Sequence, residues 1–269
     1  PYSSTKVGGI GTWSKNVISY AKLNKIDLVY LNTAFVLKPN IVSSKLSRIF
    51  FGVIDTAIIL YKIFFCIIKV RPKIVHYTSS ASYAVFKDYL AVAMCNLFKV
   101  PFIVHFHFGR IPELEVLNNW EFKMLVKIIK KSSKSIVIDQ QSFNALQNIQ
   151  LTNVFLVPNI VSETLEQQAR SSKKGANIIS QGKVVFVGHI IVGKGVFELV
   201  EACAQSRFVT ELHMIGPYTE AMKSDLDNIA SKRANGSWLQ FHGEINRLAV
   251  IDVLEDANVL CLPSYTEGF

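Results

Sequence analysis

The chain has 269 residues, half of them hydrophobic and 18% charged. That is enough apolar material for two ordinary cores and excludes a disordered chain or a repeat solenoid. The four cysteines, Cys66, Cys95, Cys203 and Cys261, lie in apolar runs without metal-ligand spacing. They read as core residues in a reducing compartment rather than as a disulfide or zinc framework.

The formal net charge of +9 is unevenly carried: residues 1–160 hold 19 Lys+Arg against 7 Asp+Glu, and residues 161–269 hold 10 against 13. A basic first half implies an anionic surface as partner. No helix-turn-helix, zinc-finger or RNA-binding signature is visible, so anionic lipid is the expected surface and nucleic acid is not; plain solubility stays open as the ordinary explanation. The chain opens on Pro1 and closes on Phe269 directly after an apolar run, which reads as a piece cut from a longer protein.

Residues 1–11 form a glycine-rich loop with Gly8, Gly9 and Gly11, and Trp13, Val17, Ile18 and Ala21 predict a helix that Thr12 would cap. Ile26 to Leu31 reads as a strand. Residues 49–70, IFFGVIDTAIILYKIFFCIIKV, are the most apolar stretch. Asp55 and Lys62 interrupt it, at about 2.5–3.5 kcal/mol each in mid-bilayer. A core helix or a membrane-surface helix is expected, not a span. Strands follow at Lys73 to Ser79 and Pro101 to His107, around a helix from Tyr83 to Phe98. A helix at Trp120 to Lys131 ends in basic residues that suit the negative pole of its dipole. Short strands at Ser135 to Ile138 and Val154 to Val157 flank a polar helix from Gln141 to Gln147.

Around Pro158 to Gly182 the alternation lapses into Ser, Gln, Lys and Gly. It resumes with strands at Lys183 to Val187, Thr210 to Ile215, Trp238 to Gly243 and Val259 to Pro263. Helices at Gly195 to Ala204, Thr219 to Lys232 and Leu248 to Ala257 lie between them. Strands apolar on both faces, alternating with helices, predict an α/β fold with parallel sheets. Two domains are expected, 1–165 and 166–269, with ligands at the carboxyl ends of the strands, in a cleft between the domains.

The stretch Lys183 to Ala204 is a strand, then a loop with Gly188, Gly193, Lys194 and Gly195, then a helix. Such a turn aims backbone N–H groups and a helix N-terminus at one point and can seat a phosphate, with Lys194 adding a full charge. An ordinary βα turn with a surface lysine reads equally well. Gly216-Pro217, Gly243-Glu244 and Ser264 to Phe269 are further strand-end groups in the second half, and His105, His107 and Arg110 in the first. His105 and His107 share one side of their strand, and His107 is the one expected at its tip, although a structural histidine is the commoner case. Glu267 can accept hydrogen bonds from hydroxyls or simply cap a helix. The motifs GxxxxGK[ST], H-E-x-x-H and GxGxxG with a following acid are absent, which disfavours kinases, zinc peptidases and dinucleotide oxidoreductases.

Taken together, VFVGHIIVGKG, LHMIGP, LQFHGEI and ANVLCLPSYTEGF, in this order over residues 183–269, resemble the donor domain of retaining GT-B glycosyltransferases of the family-4 type. GGIGTW, KIVHYTSSAS, PFIVHFHFGR and VFLVPNIV agree in the first half. The resemblance implies two Rossmann-like domains and a hexosyltransferase-like enzyme that moves a sugar, with retention, from a nucleotide-sugar to a glycan or lipid-linked acceptor, as in bacterial surface-polysaccharide assembly. A place in the cytoplasm, peripheral on the inner face of the plasma membrane, is the matching expectation. The donor site implied comprises Gly9, Gly11, Gly188, His189, Lys194, Gly216, Glu267, Gly268 and Phe269. In it Lys194 neutralises the leaving diphosphate, Glu267 holds donor hydroxyls as the first glutamate of a Glu-x7-Glu pattern, and His107 lines the sugar. No metal or other cofactor is expected, because fixed cations and helix N-termini would do that electrostatic work. The sequence departs from the family where an arginine is common: His189 stands there, shorter and not permanently charged. The second glutamate would fall beyond Phe269, so this piece by itself is expected to lack part of the site. A non-catalytic nucleotide- or membrane-binding protein, or a nucleotide-sugar epimerase on the same fold, are the alternatives.

Overall fold

The computed structural model describes residues 9–33, 45–159, 182–233 and 236–265, and the chain divides into two compact units near residue 160. The first unit opens with α1 (Gly9–Leu23) and α2 (Lys45–Val70). Four parallel strands follow, β1 (Val75–Ser79), β2 (Phe102–Phe106), β3 (Lys134–Val137) and β4 (Val154–Leu156), paired in that order. Helix α3 (Val85–Leu97) connects β1 to β2, α4 (Ile111–Leu117) and α5 (Trp120–Lys131) connect β2 to β3, and α6 (Gln140–Asn148) connects β3 to β4. Each crossover advances the sheet in the same direction, so the right-handed rule places these helices on one face. That face holds the core: Tyr77, Phe102, Val104, Phe106, Val137 and Val154 are buried with Val92, Leu125, Ile128 and Leu146 from the helices. The caps are written in the sequence. Asn119 accepts the Phe122 N–H and Asp139 accepts the Ser142 N–H, closing the first turns of α5 and α6.

Two expectations for this unit are corrected. Ile26 to Leu31 forms no strand. The residues alternate as a strand would, but a strand needs a ladder partner, and among the described residues none pairs with them. Ile26, Leu28, Val29 and Tyr30 are exposed, and Leu31 alone packs against the core. Helix α1 starts at Gly9, so Thr12 lies inside it and Gly9 and Gly11 belong to its first turn rather than to a preceding loop. Gly8 falls outside the described residues.

In the second unit the strands are β5 (Lys183–Val187), β6 (Glu211–Ile215), β7 (Leu239–Gly243) and β8 (Val259–Leu260). The helices are α7 (Val196–Gln205), α8 (Glu220–Ala230) and α9 (Arg247–Glu255). All strands are parallel, in the order β7-β6-β5-β8. Phe186, Leu212 and Met214 are fully buried against Val196, Val200 and Leu226 of α7 and α8. The opposite face carries polar groups: Glu211 bonds His213 at 2.9 Å and pairs with Lys183 at 3.5 Å, and His213 bonds His242 at 2.9 Å. The sheet grows from β5 through β6 to β7, then jumps back to place β8 on the other side of β5. The order of the strands therefore reverses between β5 and β8, the place in an open parallel sheet where ligands commonly bind above the carboxyl ends.

Candidate functional site

At the carboxyl end of β5 the chain runs through Gly188, His189 and Ile190 into a single 3-10 turn, Val192–Lys194, and then into α7. Gly195 joins the turn to the helix at φ 64°, the left-handed region, where a side chain is strained. A Cβ there would also lie 2.2 Å from the Pro263 carbonyl oxygen. Glycine thus lets the segment after β8 close against the start of α7. Two bonds hold that approach: the Tyr265 N–H donates to the Gly193 carbonyl at 3.3 Å, and the Tyr265 hydroxyl donates to the Glu198 carboxylate. The second bond holds the Glu198 carboxyl below its ordinary range. The amides of the first turn of α7 have no intrahelical acceptor by the geometry of a helix, and Lys194, half-buried, stands two residues before the helix begins. Gly188 and Gly216 complete the floor. The Gly188 N–H donates to Ile215 and the Gly216 N–H to the Gly243 carbonyl, both at 2.9 Å. The structure thus brings Gly188, Lys194, Gly195 and Gly216 to one strand edge, together with Pro263 and Tyr265. His189 is exposed on the same loop, and Glu244 is exposed beyond β7. Glu267, Gly268 and Phe269 lie outside the described residues.

In the first unit the expected tip residue, His107, lies one position past β2, its N–H donating to Ser79 at 3.1 Å. It belongs to a stack. Trp13 of α1 sits 5.2, 5.0 and 4.9 Å from the rings of His76, His105 and His107, and the last two rings are 3.9 Å apart. His76 reaches His105 at 3.3 Å. Burial lowers His105 to about 3, helped by His107 and His76. Burial, with His76, lowers His107 to about 4, against a hydrogen bond with Asn159 that works the other way. Both rings are neutral in the folded chain, and their buried Nε2 atoms have no hydrogen-bond partner among the described residues. Such atoms are where a bound polar group would be recognised.

Because the folded values lie below the ordinary 6.5, the unfolded chain binds protons first as the pH falls. Stability is full above pH 6.5 and declines toward pH 4, by up to about 1.4 kcal/mol per unit and per histidine, with less than the sum for coupled rings. Melting temperatures across this window should fall steeply for the natural chain and less steeply for His107→Gln; equal slopes would remove the stack as the cause.

A second buried network lies on the helix-covered side. Asp88 of α3 accepts the Tyr77 hydroxyl at 2.7 Å and the Ser79 hydroxyl at 2.5 Å, with the Lys87 ammonium at 3.6 Å. Burial pushes its carboxyl up, and Lys87 and the two hydroxyls pull it down. Nearby, Arg110 donates to Glu121 at 2.6 Å and to the Ser82 hydroxyl at 2.8 Å, and Glu121 also accepts the Ser82 N–H at 2.6 Å. These contacts hold Ala81 and Ser82, both left-handed at φ 59° and 56°, at the end of β1. Sequence reading singled out Arg110 but not Asp88, Glu121, His76 or Trp13. An acid in the first turn of an apolar helix, after a strand ending in hydroxyls, was the one local signal for Asp88.

Comparison with known proteins is consistent with this geometry. Residues 167–269 match the family described as glycosyl transferases group 1. No curated protein matches the chain. Among solved structures it is similar to the lipopolysaccharide outer core galactosyltransferase WaaB in its apo form, at 15% identity and TM-score 0.55, over 81% of this chain and 57% of that one. It is similar to Anabaena HepE in complex with UDP and glucose, at 12% identity and TM-score 0.55, over 94% and 65%. A UDP-forming α,α-trehalose-phosphate synthase from Burkholderia xenovorans, in complex with glucose-6-phosphate, matches at 10% identity and TM-score 0.60, over 85% and 60%. The chain thus spans 57% to 65% of the length of these three structures. At such identities the likeness shows the fold, which is GT-B, with two Rossmann-like units each built on a parallel sheet.

Proposed function

We propose that this chain, with a GT-B fold and a glycosyl transferases group 1 match over residues 167–269, is the greater part of an enzyme that moves a sugar from a nucleotide-sugar to an acceptor with retention. The observation that carries the reading is the strand edge at the β5/β8 switch point, where Gly195 lets the Pro263 segment close on the amides of α7 beside Lys194. We read that edge as the seat of the donor diphosphate, because helix N-terminal amides and a nearby cation favour a phosphate. The chemistry follows from charge. As the sugar leaves, negative charge grows on the diphosphate, and the Lys194 ammonium with the α7 amides stabilises it most at that moment. In the first unit, His107 is proposed to line the donor sugar as a neutral imidazole. Glu267 follows Tyr265 closely in the chain and is proposed to hold donor hydroxyls, with Gly268 and Phe269 beginning a backbone turn beneath the sugar. No metal is assigned a role. The excess of cations in residues 1–160 favours a lipid-linked or surface-glycan acceptor, used at the inner face of a bacterial plasma membrane.

Calorimetric titration of the full-length protein with UDP, GDP and their sugars, without metal, tests the donor site. One base should bind and the other should not, with the sugar form binding at least as tightly as the free diphosphate. Absence of binding by every nucleotide would overturn the donor assignment while leaving the fold intact.

A further inference from the structure

We infer that the outer face of α2 and α3 is a docking surface for an anionic phospholipid membrane, with a phosphate seat at the end where the two helices stop. It extends the membrane part of the proposed function, and its test uses no nucleotide, so the two readings fail separately. Helix α2 turns one stripe, Ile59, Ile63 and Ile67, into the core of the first unit. Its other side leaves Val53, Tyr61, Phe64, Phe65 and Ile68 exposed. The 20 residues Phe51–Val70 are long and apolar enough to cross a membrane, yet 22% of the apolar window is buried against protein. A helix held on one side by a core lies along a membrane surface rather than through it. Helix α3 adds Phe86, Leu90 and Leu97, exposed along one stripe, and the ring of Phe98, just after α3, meets that of Phe64, about two turns before the end of α2, at 5.7 Å. That contact joins the two stripes toward the end where the helices stop, while Phe86 at the far end stacks on Trp120 of α5.

At that end a cavity of about 520 Å³ is lined by Arg71, Lys73 and Lys99 together with Ile68 and Phe98, and no carboxylate lines it. Three cations bordering apolar side chains match a phosphodiester headgroup with its acyl chains beside it. A free phosphate would account for the cations but not for Phe64, Phe65 and Leu97. A second copy would bring the same excess of 19 Lys+Arg over 7 Asp+Glu against itself.

The test is flotation of the purified chain with phosphatidylcholine vesicles, with and without phosphatidylglycerol. The chain should float only with the anionic lipid, and less at high salt. Arg71→Gln, Lys73→Gln and Lys99→Gln together should weaken partitioning about a hundredfold, at roughly fivefold per cation. Phe65→Ser with Ile68→Ser should also weaken it, with an unchanged melting temperature showing that the fold survives. Lys123→Gln, Lys127→Gln and Lys130→Gln on α5 remove the same charge elsewhere and should leave partitioning largely intact. Equal loss in both charge triples would mean diffuse attraction and overturn the seat. Flotation indifferent to lipid charge, or binding of glycerol phosphate without flotation, would overturn the docking surface.

Discussion

Lys194→Ala is expected to lower sugar transfer about a hundred- to a thousandfold, the usual cost of removing one preorganised group that stabilises charge in a transition state. The residue closes the 3-10 turn Val192–Lys194, one position before the left-handed Gly195 and two before the first residue of α7. In the proposed site its charge and the helix amides would act together on the leaving diphosphate. The kinetic pattern separates the proposed role from simple attraction. If the ammonium acts on charge that develops as the bond breaks, kcat falls and KM moves little; if it only attracts a diphosphate, KM rises and kcat holds. Lys194→Arg keeps the charge but replaces a compact ammonium by a planar fork, so it should recover part of the turnover and more of the binding. Unchanged turnover in Lys194→Ala would remove the residue from the mechanism.

Much of the architecture was legible because its signals are local. The apolar run Lys183–Val187 and the helical spacing of Val196, Leu199, Val200 and Cys203 survive unchanged as β5 and the buried side of α7. Helix ends were less legible. The chain turns left-handed just after five helices with Lys25, Arg71, Lys99, Asn118 and Gln150, none of them the glycine that marks such a stop. Helix α4 escaped because it is short and its N-cap, Arg110, makes no side-chain cap bond; a proline in its first turn and Glu113 are its only marks. The Ile26 to Leu31 alternation misled because a period of two describes a face, whereas a strand also requires a neighbour. The site divided along the same line. Lys194 and the glycines sit in one continuous stretch and could be read from it. The histidine stack needs Trp13, His76 and His107 from three separate elements, and only the two-residue spacing of His105 and His107 carried any hint of it.

Gly216→Ala should be among the most damaging small substitutions in the second unit. Gly216 has φ 137°, a region that side chains other than glycine's rarely adopt, and an added Cβ would lie 1.9 Å from the Gly188 carbonyl oxygen. Neither side can retreat cheaply. The Gly188 N–H is held by Ile215 and the Gly216 N–H by Gly243, so the strand ends of β5, β6 and β7 are bonded to one another at this point. The strained backbone costs about 1–3 kcal/mol, and displacing the Gly188 peptide, whose N–H is bonded to Ile215, adds to it. A total of about 3 kcal/mol would lower the melting temperature of a unit of this size by more than about 10 °C. Gly193→Ala is the matched control. It lies in the loop after β5 that begins at Gly188, with open space around an added Cβ, and should melt within a few degrees of the natural chain, or slightly above it. Because Gly188 is also the floor of the proposed diphosphate seat, Gly216→Ala should abolish nucleotide binding at temperatures where the unit is still folded, whereas Gly193→Ala should preserve it. If Gly216→Ala melts and binds like the natural chain, β5 and β6 do not end in the close approach described here, and the seat built on that approach falls with it.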